Sequence, residues 1–210
     1  MSAYLGNLKV TITRSVIAAA LVLPAGFAIA QSNPSSQQII DALKPKAPLT
    51  RSLSVSPAEQ AKKAETERFV DTLRNRATRS LSTDERQQIA AVAQTRPRID
   101  LEIKFDFNSA NIAKTAIPDM NKLGAALSDP AFKGTTFVLA GHTDGIGGEE
   151  FNQDLSNRRA DTVKRYLMEK FNLPAEVLVT AGYGKTRLKV KENPNAPENR
   201  RVEVVNMAGK

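Results

Sequence analysis

Arg98-Ile99-Asp100-Leu101-Glu102-Ile103-Lys104-Phe105 alternates charged and apolar side chains without a break. Successive side chains of an extended chain point to opposite faces, so this stretch reads as a strand with one buried and one solvated face. Downstream the period changes. Ile117, Met120, Leu123 and Leu127 recur at helical spacing within residues 114–127. Thr136-Phe137-Val138-Leu139-Ala140 is a short apolar strand, residues 150–170 a long helix, Val177-Leu178-Val179 a third strand and Val202-Glu203-Val204-Val205 a fourth. Strands alternating with helices predict an α/β (α+β) sandwich of the βαβαβ type, a mixed β-sheet with helices on one face, spanning residues 98–206 with a short tail at 207–210. About 110 residues can bury one modest core. Four strands are too few for an outer-membrane barrel.

Upstream of Arg98 the texture is helical. Pro57 suits a first helical turn after Ser56, and Phe69, Val70 and Leu73 form a narrow apolar stripe. Ser82 followed by Glu85 is a capping box, opening a second helix with Ile89, Val92 and Ala93 apolar. Residues 57–97 are thus a helical segment whose stripe either packs on its neighbour or docks another envelope protein. Residues 31–56 read as a tether, polar through Gln31-Ser32-Asn33-Pro34-Ser35-Ser36 and broken by Pro45, Pro48 and the following Pro57, with room for a short helix through Ile39, Ile40 and Leu43.

Residues 1–30 carry Lys9 and Arg14, an apolar run from Val16 to Phe27, and Ala28-Ile29-Ala30 before Gln31. A basic start, a short apolar middle and a small-x-small junction make a signal peptide, cleaved after Ala30, and place the mature chain in a bacterial periplasm at the cell wall or outer membrane. The alternative is an uncleaved inner-membrane anchor, but Ser15–Ala30 contains Pro24 and Gly26 and is short against the ~20 residues a span needs. That segment has no acidic residue, which argues against a proton-driven stator.

Composition closes other doors. The 210 residues hold no cysteine and one histidine, His142, which leaves no disulfide, no thiolate and no multi-histidine zinc site. Aromatic residues are 5% of the chain, too few for a base-stacking platform, so nucleic acid is not an expected partner. The net charge is +8. Residues 31–97 hold 11 basic against 7 acidic side chains and residues 98–210 hold 17 against 15, so the excess sits in the N-terminal part. It reads as a solvated basic spacer, or as a contact to an anionic lipid or polymer.

The site is read from the long helix. At 100° per residue, Asn152, Leu155, Ser156, Arg159, Val163, Tyr166 and Leu167 share one face. Arg159 therefore sits in an apolar stripe, where a guanidinium needs a carboxylate, either internal or from a ligand. Asp144 ends the second strand in Gly141-His142-Thr143-Asp144-Gly145, and a strand-loop-helix unit brings it near the first turns of the helix. Asp144 and Arg159 then form either a structural ion pair or a pocket for a zwitterion, an ammonium on the one and a carboxylate in the fork of the other.

Four runs in order carry a family resemblance: Phe105-Asp106-Phe107-Asn108-Ser109-Ala110-Asn111-Ile112, Gly141-His142-Thr143-Asp144, Asn152-Gln153-Asp154-Leu155-Ser156-Asn157-Arg158-Arg159-Ala160 and Asn199-Arg200-Arg201-Val202-Glu203. Residues 98–206 resemble the OmpA-like C-terminal domain. The resemblance implies non-covalent, non-enzymatic binding of peptidoglycan without a cofactor, Asp144 and Arg159 gripping the diaminopimelate of the stem peptide. Thr143, Asn152, Asp106 and Asn108 match family positions around the pocket. Ser156 and Arg200 are expected in support, Arg200 from the face of the last strand. Other envelope proteins and the outer-membrane surface are further candidate partners.

Four signals are set aside. His142 has no nucleophile or metal set beside it and reads as a packing residue. Gly184-Lys185-Thr186 lacks the glycine five positions earlier that a phosphate loop needs; Val179 stands there. Glu149 and Glu150 are adjacent on a helix and do not face each other, which argues against a wall hydrolase. Asn193-Pro194-Asn195-Ala196-Pro197 reads as a mobile polar turn.

Overall fold

The computed structural model describes residues 33–45, 56–74, 76 and 78–208. The predicted signal peptide lies outside them. Five helices, α1 (Ser36–Leu43), α2 (Pro57–Leu73), α3 (Thr83–Gln94), α4 (Ile117–Leu127) and α5 (Glu149–Phe171), surround four strands, β1 (Arg98–Leu101), β2 (Phe137–Gly141), β3 (Leu178–Gly182) and β4 (Val202–Asn206). The sheet is open and mixed, in the order β1-β4-β2-β3. β4 runs antiparallel to both β1 and β2, and β2 pairs in parallel with β3. The parallel pair is joined by α5, the crossover that such a pair requires.

The predicted elements fall within a few residues of the observed ones, with one exception. β1 stops at Leu101, and the chain bends so that Phe105 makes a single antiparallel bridge to Ile112. The alternation of residues 98–105 continues across the bend because Ile103 is still buried.

The domain's own helices do cover one face, where Leu101, Phe137, Leu139, Leu178, Val202 and Val204 meet α4 and α5. The opposite face is covered as well. Val70 and Leu73 of α2, Leu81, and Ile89, Ala90 and Ala93 of α3 pack on Val138, Ala140, Val179, Ala181 and Val205. The sheet is therefore sandwiched between two helical layers. This is why all five residues of β2 and all five of β3 are buried, the pattern of strands covered on both sides. Residues 57–94 join the sheet through polar contacts too: Asp161 on α5 accepts hydrogen bonds from the Thr78 and Thr180 hydroxyls.

Part of the expected tether is built into the core. Ser35 caps α1 in a box with Gln38. Ile39, Ile40 and Leu43 face inward and are buried with α4. Asn33 anchors the entry by pairing both ways with the Glu102 backbone, each bond 2.9 Å, and by donating to Asp119 at 2.8 Å. Asn206 on β4 holds the exit, donating to the Leu43 carbonyl at 2.9 Å. A helix of 8 residues has little stability of its own, so this packing is what keeps it folded.

Candidate functional site

The C-terminal ends of β2 and β3, the N-terminal half of α5 and the turn after β1 meet at one end of the sheet. α5 can lie tight against the strands because glycines stand beneath it. A Cβ on Gly141 would sit 2.4 Å from the Ser156 carbonyl oxygen, and one on Gly182 would sit 2.5 Å from the Ser156 hydroxyl. Ser156 is fully buried, and its hydroxyl accepts from the Gly184 backbone at 2.8 Å and donates to the Gln153 carbonyl at 2.9 Å. It fixes the helix to the loop after β3 and is absent from the wall of the cleft described next.

That cleft has a volume of about 910 Å³, and its walls include Asp106, Asn108, Thr143, Asp144, Asn152, Arg159 and Arg200. Each has an identifiable placing device. Asp106 and Asn108 belong to a tight turn closed by Asp106 N donating to Asn111 O at 3.0 Å, with Asn108 in the left-handed region at φ 51°. Thr143 is buried; its amide donates to Gly184 O at 2.9 Å and its hydroxyl to the Asp144 carbonyl at 3.0 Å. Asn152 is also buried, and its amide donates to the carbonyls of Ile146 (2.7 Å) and Gly148 (3.0 Å), shaping the 145–148 loop.

Asp144 and Arg159 face the same cleft and yet are not paired with each other. Asp144 accepts from the Arg200 guanidinium at 2.8 Å and from the Ile146 amide at 3.2 Å. Arg200 lies before β4 and is exposed, so it reaches Asp144 from the rim rather than from the strand face. Arg159 is 9% exposed. Its Nε donates to the Ser109 carbonyl at 3.1 Å, and its guanidinium carbon stands 4.8 Å from the centre of the Phe105 ring. Among the described residues no carboxylate comes within 4.0 Å of it. Burial pulls its pKa down to about 10, Asp144 working against that shift and the positive charges of Arg200 and Arg158 adding to it. The group remains charged at neutral pH, largely desolvated and, among the described residues, short of an anion. A cation–π contact contributes on the order of 1–2 kcal/mol, less than a charge needs to offset several kcal/mol of burial.

Of the expected helix face, Asn152, Leu155, Ser156, Arg159, Val163 and Leu167 are buried, with Asn157 and Ala160 widening the stripe, whereas Tyr166 is only half-buried and its hydroxyl donates to Asn121 at 2.8 Å. Arg158 turns away to Asp154 at 2.7 Å. Glu149 and Glu150 line a different recess, beside Arg86, Tyr183 and Arg187. The segment 193–197 is tied down rather than free. The buried Asn199 accepts from the amides of Lys189 and Val190 and donates to the carbonyls of Val190, Asn193 and Pro194, and Gly145 in turn donates to Pro194 O at 2.8 Å.

His142 lies beneath the cleft on the opposite face of the sheet. It is 1% exposed, stacks on Tyr183 at 5.4 Å and has Nε2 3.6 Å from the Glu203 carboxylate. Burial lowers its pKa despite the neighbouring acid, so it is neutral at pH 7.

Sequence reasoning missed the rim. Phe107, Ile146 and Phe151 are the large hydrophobic side chains standing exposed among the described residues, at 93%, 61% and 47%, and all three line this cleft. The signal was available: Phe107 sits in a polar turn, and Ile146 is the one apolar residue between the glycines 145 and 147. Clustered exposed apolar groups mark a binding surface more often than scattered ones.

Residues 104–201 match the OmpA family. The outer membrane porin F of Pseudomonas fluorescens is 36% identical over 116 residues, which cover 54% of this chain and 34% of that protein. The chain thus spans about a third of the length of that curated relative. Among solved structures, the OmpA-like domain of FopA1 from Francisella tularensis is 23% identical with a TM-score of 0.45, covering 51% of this chain and 71% of that one. The peptidoglycan-associated lipoprotein of Burkholderia pseudomallei is 22% identical with a TM-score of 0.42, covering 50% and 87%. Residues 104–201 of this chain form an OmpA-like domain.

Proposed function

We propose that the chain binds peptidoglycan non-covalently, taking the free zwitterionic end of diaminopimelate in the cleft, and so ties an envelope component to the cell wall. The ligand carboxylate docks in the fork of Arg159, and the ligand ammonium sits on Asp144, which has a second, exposed partner in Arg200. The observation that carries this reading is the buried Arg159 guanidinium, open to the cleft and, among the described residues, without a carboxylate of its own. A ligand carboxylate supplies the anion that the fold withholds, and charge-assisted bidentate pairing gives that contact both strength and direction. Thr143 and Asn152 act through the loop they hold, while Asp106 and Asn108 form the facing wall. The role is that of a binding module rather than an enzyme, in the periplasm after export by the residue 1–30 signal. Peptidoglycan is the principal partner, with other envelope proteins or the outer-membrane surface as further ones.

The test is co-sedimentation of the purified protein with isolated diaminopimelate-type sacculi, beside Arg159→Ala and Asp144→Ala. The native protein is expected in the pellet and both variants in the supernatant, with unchanged circular dichroism. Retention of both folded variants on the sacculi contradicts the reading.

A further inference from the structure

A second recess, of about 310 Å³, opens at the other end of the sheet, where α3 runs into β1. Its walls are Ala42, Lys44, Gln94, Thr95, Arg96, Pro97 and Arg98. The cleft gathers residues that follow β1 and β2 or precede β4. This recess gathers residues that precede or open β1, and its Arg96 bonds to the chain just beyond β4. Among the described residues three cations line it and no acid does. The basic excess read in residues 31–97 is thus partly folded into one place: Lys44 arrives at the end of α1 and Arg96 at the end of α3, both beside Arg98 at the start of β1.

The cations are incompletely satisfied. Arg96 donates from one terminal nitrogen to the Ala208 carbonyl at 2.8 Å, but its Nε is buried with no hydrogen-bond partner. Arg98 gives a long bond of 3.3 Å to the Ala93 carbonyl and stands 3.5 Å from Glu203. Among the described residues no carboxylate lies within 4.0 Å of Lys44 or Arg96. Burial lowers the Arg96 pKa, with the charge of Glu67 opposing from a distance. Like charges gathered around a concavity repel unless an anion joins them. Guanidinium forks and an ammonium together suit the several oxygens of a phosphate ester.

The geometry points to a phosphate-binding site formed by Lys44, Arg96 and Arg98, the phosphate being that of an anionic lipid headgroup or of a small soluble ester. This site stands apart from the peptidoglycan reading, since none of its residues lines the cleft. With both occupied, one chain grips the wall at one end of its sheet and a phosphate-bearing surface at the other.

The experiment is flotation of the full chain with phosphatidylcholine vesicles, with and without phosphatidylglycerol, alongside calorimetric titration with inorganic phosphate. Two variants are compared with the native chain: Lys44→Gln, an exposed side chain whose loss leaves the fold intact, and the triple Lys44→Gln, Arg96→Gln, Arg98→Gln. Each cation removed weakens vesicle binding about fivefold, so the triple variant loses on the order of a hundredfold. Binding to both vesicles and phosphate, weakened by the substitutions, assigns the site to a lipid phosphate. Phosphate binding that Lys44→Gln weakens, without any preference for phosphatidylglycerol, assigns it to a soluble ester. Vesicle and phosphate binding that are absent, or equal in the native chain and Lys44→Gln, overturn the proposal. Lys44→Gln decides the matter even if the triple variant does not fold.

Discussion

Arg159 and Arg201 are equally buried, each 9% exposed, and stand at the same end of the sheet, yet they are held in opposite ways. Arg201 is satisfied by the protein. It pairs with Asp100 at 3.1 Å, donates to the Arg187 carbonyl at 3.3 Å and reaches the Asn199 carbonyl at 3.5 Å; Asp100 is further held by Lys189 at 2.9 Å. Among the described residues Arg159 has one backbone carbonyl and one aromatic ring. A buried charge with a full set of partners stabilises a fold. A buried charge whose partner set is left open toward a cleft stores a free-energy cost that only a ligand relieves. The difference separates a structural arginine from a binding one where burial alone does not.

The largest effect that can break this comparison is on binding. Arg159→Ala is expected to weaken sacculus binding by about 2–5 kcal/mol, or at least thirtyfold, while thermal stability stays level or rises, because an uncompensated charge leaves the interior. Co-sedimentation and a melting curve on the same sample check both halves. Arg201→Met is the converse. It is expected to cost about 2–3 kcal/mol of stability in chemical denaturation, Lys189 moderating the loss, with wall binding retained per folded molecule. If Arg159→Ala instead destabilised the fold as Arg201→Met does, the contrast would fail.

Two smaller effects sharpen it. Arg200→Ala removes an exposed partner of Asp144 and should change affinity by no more than about fivefold, the worth of a surface ion pair, read from a binding isotherm. The smallest effect is on pH. The unfolded chain takes up a proton at His142 near its ordinary pKa of about 6.5, whereas the folded chain resists doing so because burial lowers that pKa. The contribution is therefore fully present above about pH 6.5 and is lost as pH falls below it. Asp100 and Glu203 are held below the ordinary carboxylate range, partners outweighing burial, so their contribution is lost only at more acid pH. The melting temperature should fall between pH 7.5 and 5.5, and His142→Phe, which keeps a ring on Tyr183, should flatten that fall.

The sequence speaks clearly where a residue's neighbours are close along the chain. The capping box at Ser82 and Glu85, the helix face through Asn152 and Arg159, and the strands at 137 and 202 all follow from local spacing. What it hides is long-range. The covering of the second sheet face by α2 and α3 was written in the unbroken apolar run of β2, which asks for partners on both sides without naming them. The docking of α1 depends on Asn33 meeting Glu102 and Asn206 meeting Leu43, pairs no local pattern reveals. The cleft was legible in composition but not in pairing: Asp144 and Arg159 are both at its wall, and the choice of Arg200 as partner for Asp144 rests on where the chain before β4 happens to run.

The central claim is that Arg159 awaits a ligand carboxylate. Its most direct test is calorimetric titration of the purified protein with a stem peptide ending in diaminopimelate, against the same peptide with the diaminopimelate carboxyl amidated. The account predicts that the free acid binds, that amidation abolishes binding, and that Arg159→Ala abolishes binding of the free acid while leaving the protein folded. Equal affinity for the two peptides, or for the native protein and a folded Arg159→Ala, would contradict it.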